Sequence, residues 1–163
     1  MSALLFFLRR KTKMMEKKSA SDNREMLDKM YKNVKMGSDS MVNIISKVKD
    51  SGLKGELTNQ LDKYESYSKK VAGMIYDEGG TPKEENILTK AGSKIGIEMN
   101  TMMDSTPSHL AQMVIEGATM GMTDMTKIVR EYENKNCSEQ AMKLAKEIAE
   151  FEDKSIDSLK KYL

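Results

Sequence analysis

The chain has one cysteine, one histidine, two prolines and no tryptophan in 163 residues. The lone thiol, Cys137, excludes an internal disulfide and cysteine-rich zinc sites, and is compatible with a reduced, cytoplasmic setting. The lone imidazole, His109, leaves little for histidine chemistry. Scarce proline and few β-branched runs favour helix over sheet. Charge is also nearly balanced: 27 Lys and Arg against 25 Asp and Glu, a net +2. These charges are interspersed, as on solvated helix faces. No aromatic-interleaved basic patch argues for nucleic acid, and there is no glycine-rich phosphate loop or nucleophile elbow. No repeat, low-complexity stretch or internal domain boundary is visible.

What the chain does have is helical periodicity. A helix over 22–50 carries Leu27, Met30, Val34, Met41, Ile44, Ile45 and Val48 on one face, with Ser51-Gly52 as its stop. A second, over 53–77, turns Leu57, Leu61, Tyr64, Val71 and Ile75 inward, and the short connection makes the pair an antiparallel hairpin. Gly79-Gly80-Thr81-Pro82 breaks the chain, and a helical crossover is expected over 83–103. Thr106 reads as an N-cap with Pro107 at the first helical position of a helix over 107–133. Ser138 caps a last helix over 138–163, with Ala141, Leu144, Ala145, Ile148, Phe151, Ile156 and Leu159 inward.

The 107–133 helix has an excess of apolar surface. Leu110, Val114, Gly117, Gly121 and Ile128 form one stripe; Ala111, Ile115, Ala118, Met122, Met125 and Val129 form another beside it. At about 100° per residue the two merge into an arc of about 220°, against about 100° for an ordinary amphipathic helix. Such a helix needs neighbours on more than one side. The crossover, ~31 Å long beside a second helix of ~37 Å, can travel the length of the bundle and cover part of that arc. Two hairpins joined by one long crossover form an all-α, ferritin-like four-helix bundle, expected to be one domain over 21–163. The surplus arc also points to a homodimer through the 107–133 helix or the crossover. Glycines at 37, 73, 92, 96, 117 and 121 lie inside helices at about 1 kcal/mol each, which leads us to expect close backbone approach there.

The order of segments resembles a ferritin-like bacterial family grouped as a domain of unknown function. The resemblance rests on MLDKMYKNVKMGSDSM in the first helix, LKGELTNQLDKYESYSKKVAGMI in the second, DEGGTP at the turn, and the closing helix pair, over residues 26–163. It implies a fold and carries no catalytic motif, cofactor or functional residue.

A di-iron centre in such a bundle takes carboxylates from all four helices and two inward Glu-x-x-His pairs. The residue three before His109 is Thr106, so even one pair is missing, and His109 reads as a partly exposed side chain. Asp124 and Glu152 are read as lying on inward faces near mid-bundle, where Ser38, Tyr64 and Ser68 also point. They form either a hydrogen-bonded polar layer fixing helix register or a degenerate two-carboxylate metal site. Met99, Met102, Met103, Met113, Met120, Met122 and Met125 are gap-fillers around the glycines or a thioether Cu(I) site. Cys137, just ahead of a helix start, sits where a thiolate is favoured, but with no resolving cysteine or partner histidine nearby it reads as an incidental thiol. The expected function is a non-catalytic structural or protein-interaction module without a cofactor, with metal binding as the alternative.

Residues 1–20 stand apart. Ala3–Leu8 is apolar and Arg9-Arg10-Lys11 follows. Six apolar residues fall far short of the ~20 that span a bilayer, and a secretory signal has the opposite charge order, so no stable membrane insertion is expected. Three readings stand: a membrane-touching anchor, a disordered tail, or a mis-assigned start with Met14 or Met15 the true one. Arg9-Arg10 can be encoded by a purine-rich stretch resembling a bacterial ribosome-binding site. The intact mass of the natively expressed protein separates the last reading from the others.

Overall fold

In the computed structural model, residues 2–83 and 104–163 are described, with side chains from Leu4 onward. Four helices build the bundle: α1 (Ser2–Ile45), α2 (Ser51–Asp77), α3 (Pro107–Tyr132) and α4 (Glu139–Leu159), closed by a 3-10 turn at Lys160–Tyr162. The expected crossover over 83–103 lies almost wholly outside the described residues.

Side-chain caps set the boundaries. Thr106 accepts from the His109 N–H at 3.3 Å with Pro107 in the first turn, and Ser138 accepts from the Ala141 N–H at 3.1 Å, both as the sequence predicts. The first connection differs from expectation. Helix α1 stops at Ile45, five residues early, where Asn43 and Ser46 turn their side chains onto the Asp39 and Asn43 carbonyls. Asp50, read as the end of the first helix, is the N-cap of the second, accepting from the Leu53 N–H at 2.7 Å. Ser51-Gly52 therefore opens α2. Helix α2 ends in a Schellman motif: Gly80 N–H reaches the Ile75 carbonyl and Gly79 N–H the Tyr76 carbonyl, with Gly79 at φ 74°.

The largest departure is at the other end of α1. The first helix, expected from residue 22, begins at Ser2 and so takes in the stretch that the sequence leaves open between an anchor, a disordered tail and a mis-assigned start. Residues 4–18 are exposed throughout and extend it beyond the packed core.

Cross-helix contacts fix the topology. Asn23 bonds the Ser138 N–H and Lys29 the Glu131 carboxylate, so α1 and α3 run antiparallel. Glu56 pairs with Ser158, Tyr64 with Glu152 and Tyr67 with Glu147, so α2 and α4 also run antiparallel. Helices α2 and α3 are then parallel. The chain leaves α2 beside Asn23, and α3 begins beside the C-terminal Leu163 at the opposite end. The end of α2 and the start of α3 thus lie at opposite ends of the bundle, as the one-crossover arrangement requires.

The core is the inward row of each helix: Leu27, Met30 and Val34; Leu53, Leu57, Val71 and Ile75; Leu110, Val114 and Met125; Ala141, Ala145 and Ile148. Burying each large side chain contributes about 1.5–3 kcal/mol. Helical glycines do not share one explanation. Gly37 lies against the Tyr64 ring and Gly121 against the Glu152 carboxyl, whereas Gly73 faces open space, contrary to the expected close approach. Pairing of Gly92 and Gly96 with Gly117 and Gly121 involves residues outside those described.

Alanine substitutions within α2 and just past its end therefore have opposite signs. Gly73→Ala should raise stability by about 0.5–1 kcal/mol through helix propensity. Gly79→Ala should lower it by about 1–2 kcal/mol, because its φ is left-handed although its surroundings are open. Urea unfolding of the two variants measures both.

Candidate functional site

All four helices contribute to a cluster at mid-bundle. Glu152 sits between Ile148 and Ser155 in the buried row of α4 and is 1% exposed. Opposite it on α3 is Gly121. A Cβ there would come within 2.9 Å of the Glu152 carboxyl carbon, so only glycine leaves room for this side chain as placed. The Tyr64 hydroxyl on α2 donates to Glu152 Oε1 at 3.3 Å. Its ring lies against Gly37 on α1, where a Cβ would fall 2.7 Å from Cδ1. Phe151 meets the Tyr64 ring edge-on at 5.0 Å. Two glycines on one side of the bundle thus cradle a tyrosine and a glutamate from the other.

Asn33 on α1 joins the cluster, its Nδ2 donating to the Gly121 carbonyl at 3.0 Å. Two buried polar atoms of this cluster are left without a hydrogen-bond partner: Asn33 Oδ1 and Glu152 Oε2. They border a cavity of about 40 Å³, also lined by Gly37, Met41, Tyr64, Met113 and Gly121. That volume admits water, which would satisfy such atoms.

Burial dominates the electrostatics. It pushes the Glu152 carboxyl up to about 8; the Tyr64 hydrogen bond pulls the other way and the charge of Asp124 adds to the rise. The hydrogen bond is longer than the usual ~2.7–2.8 Å between oxygens, in keeping with its losing to desolvation. Tyr64 is itself pushed well above its ordinary value, by burial first and by Glu152 second. At neutral pH the pair is an acid and a phenol, both protonated.

Of the sequence-predicted site residues, the fold brings Tyr64 to Glu152 and leaves the others out. Asp124 is a correction: it is 53% exposed and ion-paired with Lys127 at 3.1 Å. The inward row of α3 is Leu110, Val114, Gly121, Met125 and Ile128. Asp124, three residues past Gly121, lies about 60° round from it, on the flank. Ser38 is buried but donates to the Lys35 carbonyl of its own helix, and Ser68 is half-buried. His109, half-buried in the first turn of α3, is about 18 Å along the helix from Gly121. Met113 and Met125 are buried while Met120 is 53% exposed, so the α3 methionines diverge; Met99, Met102 and Met103 lie outside the described residues. At Cys137 burial outweighs the helix start. Burial pushes its thiol up, with Asp22 adding to the rise, so no thiolate is favoured.

Asn33 was missed. Its signal was a polar residue three after Met30 and four before Gly37, within the apolar row of α1. Two further polar clamps flank the cluster. At one end Asn23 binds the Ser138 N–H at 2.8 Å and the Glu78 carboxylate. At the other, Gln60, Glu56 and Ser158 bond one another, with Ser158 to Glu56 at 2.7 Å.

The chemistry available is limited. A dinuclear carboxylate centre needs a carboxylate from each helix. Here the facing positions are Asn33, Gly37, Tyr64 and Gly121, and among the described residues no group of three or more His, Cys, Asp or Glu could hold a metal ion. The described residues do not fit that centre.

Comparison with known proteins places the architecture. No protein-family model matches the chain, and no curated protein does. Two solved structures do. One is described as a dodecameric thioferritin, the bacterioferritin-related protein of Bacteroides fragilis, with TM-score 0.70 and 13% identity over 94% of this chain and 92% of that one. The other is a conserved hypothetical protein of Mycobacterium tuberculosis, with TM-score 0.61 and 14% identity over 90% of this chain and 98% of that one. The fold is the ferritin-like four-helix bundle. At such identities the likeness shows the fold alone.

Glu152 makes stability depend on pH. A carboxyl whose folded value is raised binds its proton more tightly when folded, so its favourable contribution is complete below about 4.5 and is lost as pH rises through about 8. The loss is on the order of 4 kcal/mol. Glu25 and Glu131, held low by Lys29, and Glu56, held low by Ser158, act oppositely and only below that window. Denaturation midpoints should fall from pH 5 to pH 8.5 for the parent chain and stay nearly flat for Glu152→Gln. Equal slopes would mean that Glu152 is ionised throughout.

Proposed function

We propose that this chain is a non-catalytic ferritin-like bundle that works as a structural or protein-interaction module in the cytoplasm, assembled as at least a homodimer. The observation that supports this best is the Glu152–Gly121 contact. Where a di-iron bundle gathers carboxylates, this one gathers glycines, a tyrosine and a single protonated acid. Its polar groups tie the helices together at three levels, as register-fixing layers do. On α3 the stripe Ile115, Met122 and Val129 is only half-buried, which supports the self-association reading. The Bacteroides fragilis structural neighbour is described as dodecameric, so the fold is compatible with self-assembly. A lone free thiol is tolerated in a reducing compartment.

A metal-binding reading has one observation in its favour, the buried and unpartnered Glu152 Oε2 beside a cavity. Against it, a carboxyl raised to about 8 must lose its proton before it can ligate. Methionine-bound Cu(I) fits less well, since the described methionines of α3 point apart.

Titration calorimetry of the full chain with Fe(II), Mn(II) and Cu(I) at pH 7 decides between the readings. The module reading expects no saturable binding, whereas one-to-one binding abolished by Glu152→Gln establishes the metal reading. In parallel, light scattering at micromolar concentration should give a dimer or larger that Met122→Glu dissociates. A monomer at every concentration contradicts the assembly.

A further inference from the structure

The bundle core accounts for most of the chain and leaves the first half of α1 without a role. Residues 4–18 are exposed at every position on a helix that begins at Ser2. Its tip is apolar all round, with Leu4 71%, Phe6 69% and Phe7 69% exposed. Surface of that kind in one contiguous patch marks an interaction site.

The charge behind the tip says what kind. Residues 9–18 carry Arg9, Arg10, Lys11, Lys13, Lys17 and Lys18 against one acid, Glu16. At about 100° per residue these cations are spread around much of the helix, so they form a collar. The Leu4–Leu8 tip is ~7 Å long at 1.5 Å per residue. Peripheral helices lie along the boundary between headgroups and acyl chains and bury apolar side chains to ~5–10 Å, which the large side chains of this short stretch can reach. Leu4, Leu8 and Met15, at i, i+4 and i+11, share one side and set the direction of tilt. With the tip at that depth, the collar stands at the level of lipid phosphates, where long Lys and Arg side chains reach up to anionic headgroups.

We infer that the projecting N-terminal half of α1 is a peripheral membrane anchor that docks the bundle onto an anionic lipid surface, with Leu4–Leu8 inserted and the Arg9–Lys18 collar on the phosphates. No helix among the described residues is long and apolar enough to cross a membrane, so the attachment is interfacial and reversible. A second copy of this chain is a poorer occupant, because two collars brought side by side repel. Nucleic acid would use the collar but leave the apolar tip in water.

Flotation of the full-length protein with vesicles tests this. Vesicles of phosphatidylglycerol and phosphatidylcholine should carry the protein, and pure phosphatidylcholine vesicles should not. Removing two cations in Arg9→Gln/Arg10→Gln should weaken binding roughly thirtyfold. Phe6→Ser/Phe7→Ser should abolish flotation while circular dichroism stays unchanged, since these residues lie outside the core. Millimolar inorganic phosphate should not release the protein, as it would if free phosphate were the ligand. The inference is overturned by failure to float on anionic vesicles, or by flotation that survives loss of both phenylalanines. It is also overturned if the phenylalanine variant instead breaks an oligomer, if the collar binds RNA but not vesicles, or if the natively expressed chain has a mass that excludes Phe6 and Phe7.

Discussion

A carboxyl buried in an apolar bundle is costly, and here it dictates what stands opposite. Glu152 occupies a position where α4 otherwise presents Ala145, Ile148 and Leu159, and its carboxyl as placed takes the space that a side chain on Gly121 would need. Tyr64 repeats the arrangement one helix over, with its ring against Gly37 and its hydroxyl toward Glu152. Any sliding of α3 or α1 by one residue would bring a side chain where a glycine must be. Hydrophobic burial drives the helices together without choosing a register. The two glycines, with Asn33 on the Gly121 carbonyl, choose it. The Asn23 clamp at one end and the Glu56–Gln60–Ser158 clamp at the other hold the helices in the same alignment.

Much of this architecture was legible because the helices carry strong local signals. Thr106-Pro107 and Ser138 mark helix starts whose caps form as read, and the apolar rows of α1, α2 and α4 keep a clean period. Glu152 was legible as inward because it interrupts such a row. Asp124 is hard to place because the two apolar stripes of α3, read together as one arc of about 220°, leave its inward direction open. An arc that wide can be rotated by tens of degrees without violating any single position. Asn33 was passed over because a lone polar residue beside lysines reads as solvated, and only its contact with the Gly121 carbonyl shows otherwise. Asp50 was read as a helix end because both a terminus and an N-cap favour it, and the i to i+3 bond to Leu53 decides. The helical start of α1 could not be read from periodicity, since residues 4–18 face solvent on every side.

Likeness of fold does not carry an activity with it. The ferritin-like bundle is shared with structures only 13% and 14% identical to this chain, and the arrangement of helices survives such divergence because it depends on apolar period and crossover length. A catalytic centre depends on particular side chains at particular levels. In the described residues those levels hold a phenol, an amide, two glycines and one protonated acid. Those groups hydrogen-bond and pack across the helices, which is what the proposed structural reading requires of them.

The central claim is that Gly121 is glycine because of Glu152, and a double-mutant cycle tests it directly. Gly121→Ala alone should cost about 1–3 kcal/mol, as overpacking does. In a Glu152→Ala background the same change should be neutral or stabilising by up to about 1 kcal/mol, as helix propensity alone dictates. The cycle then closes with a coupling of at least about 1 kcal/mol, as expected for residues in contact. If Gly121→Ala costs the same in both backgrounds, the two residues are independent and the account of the register is wrong.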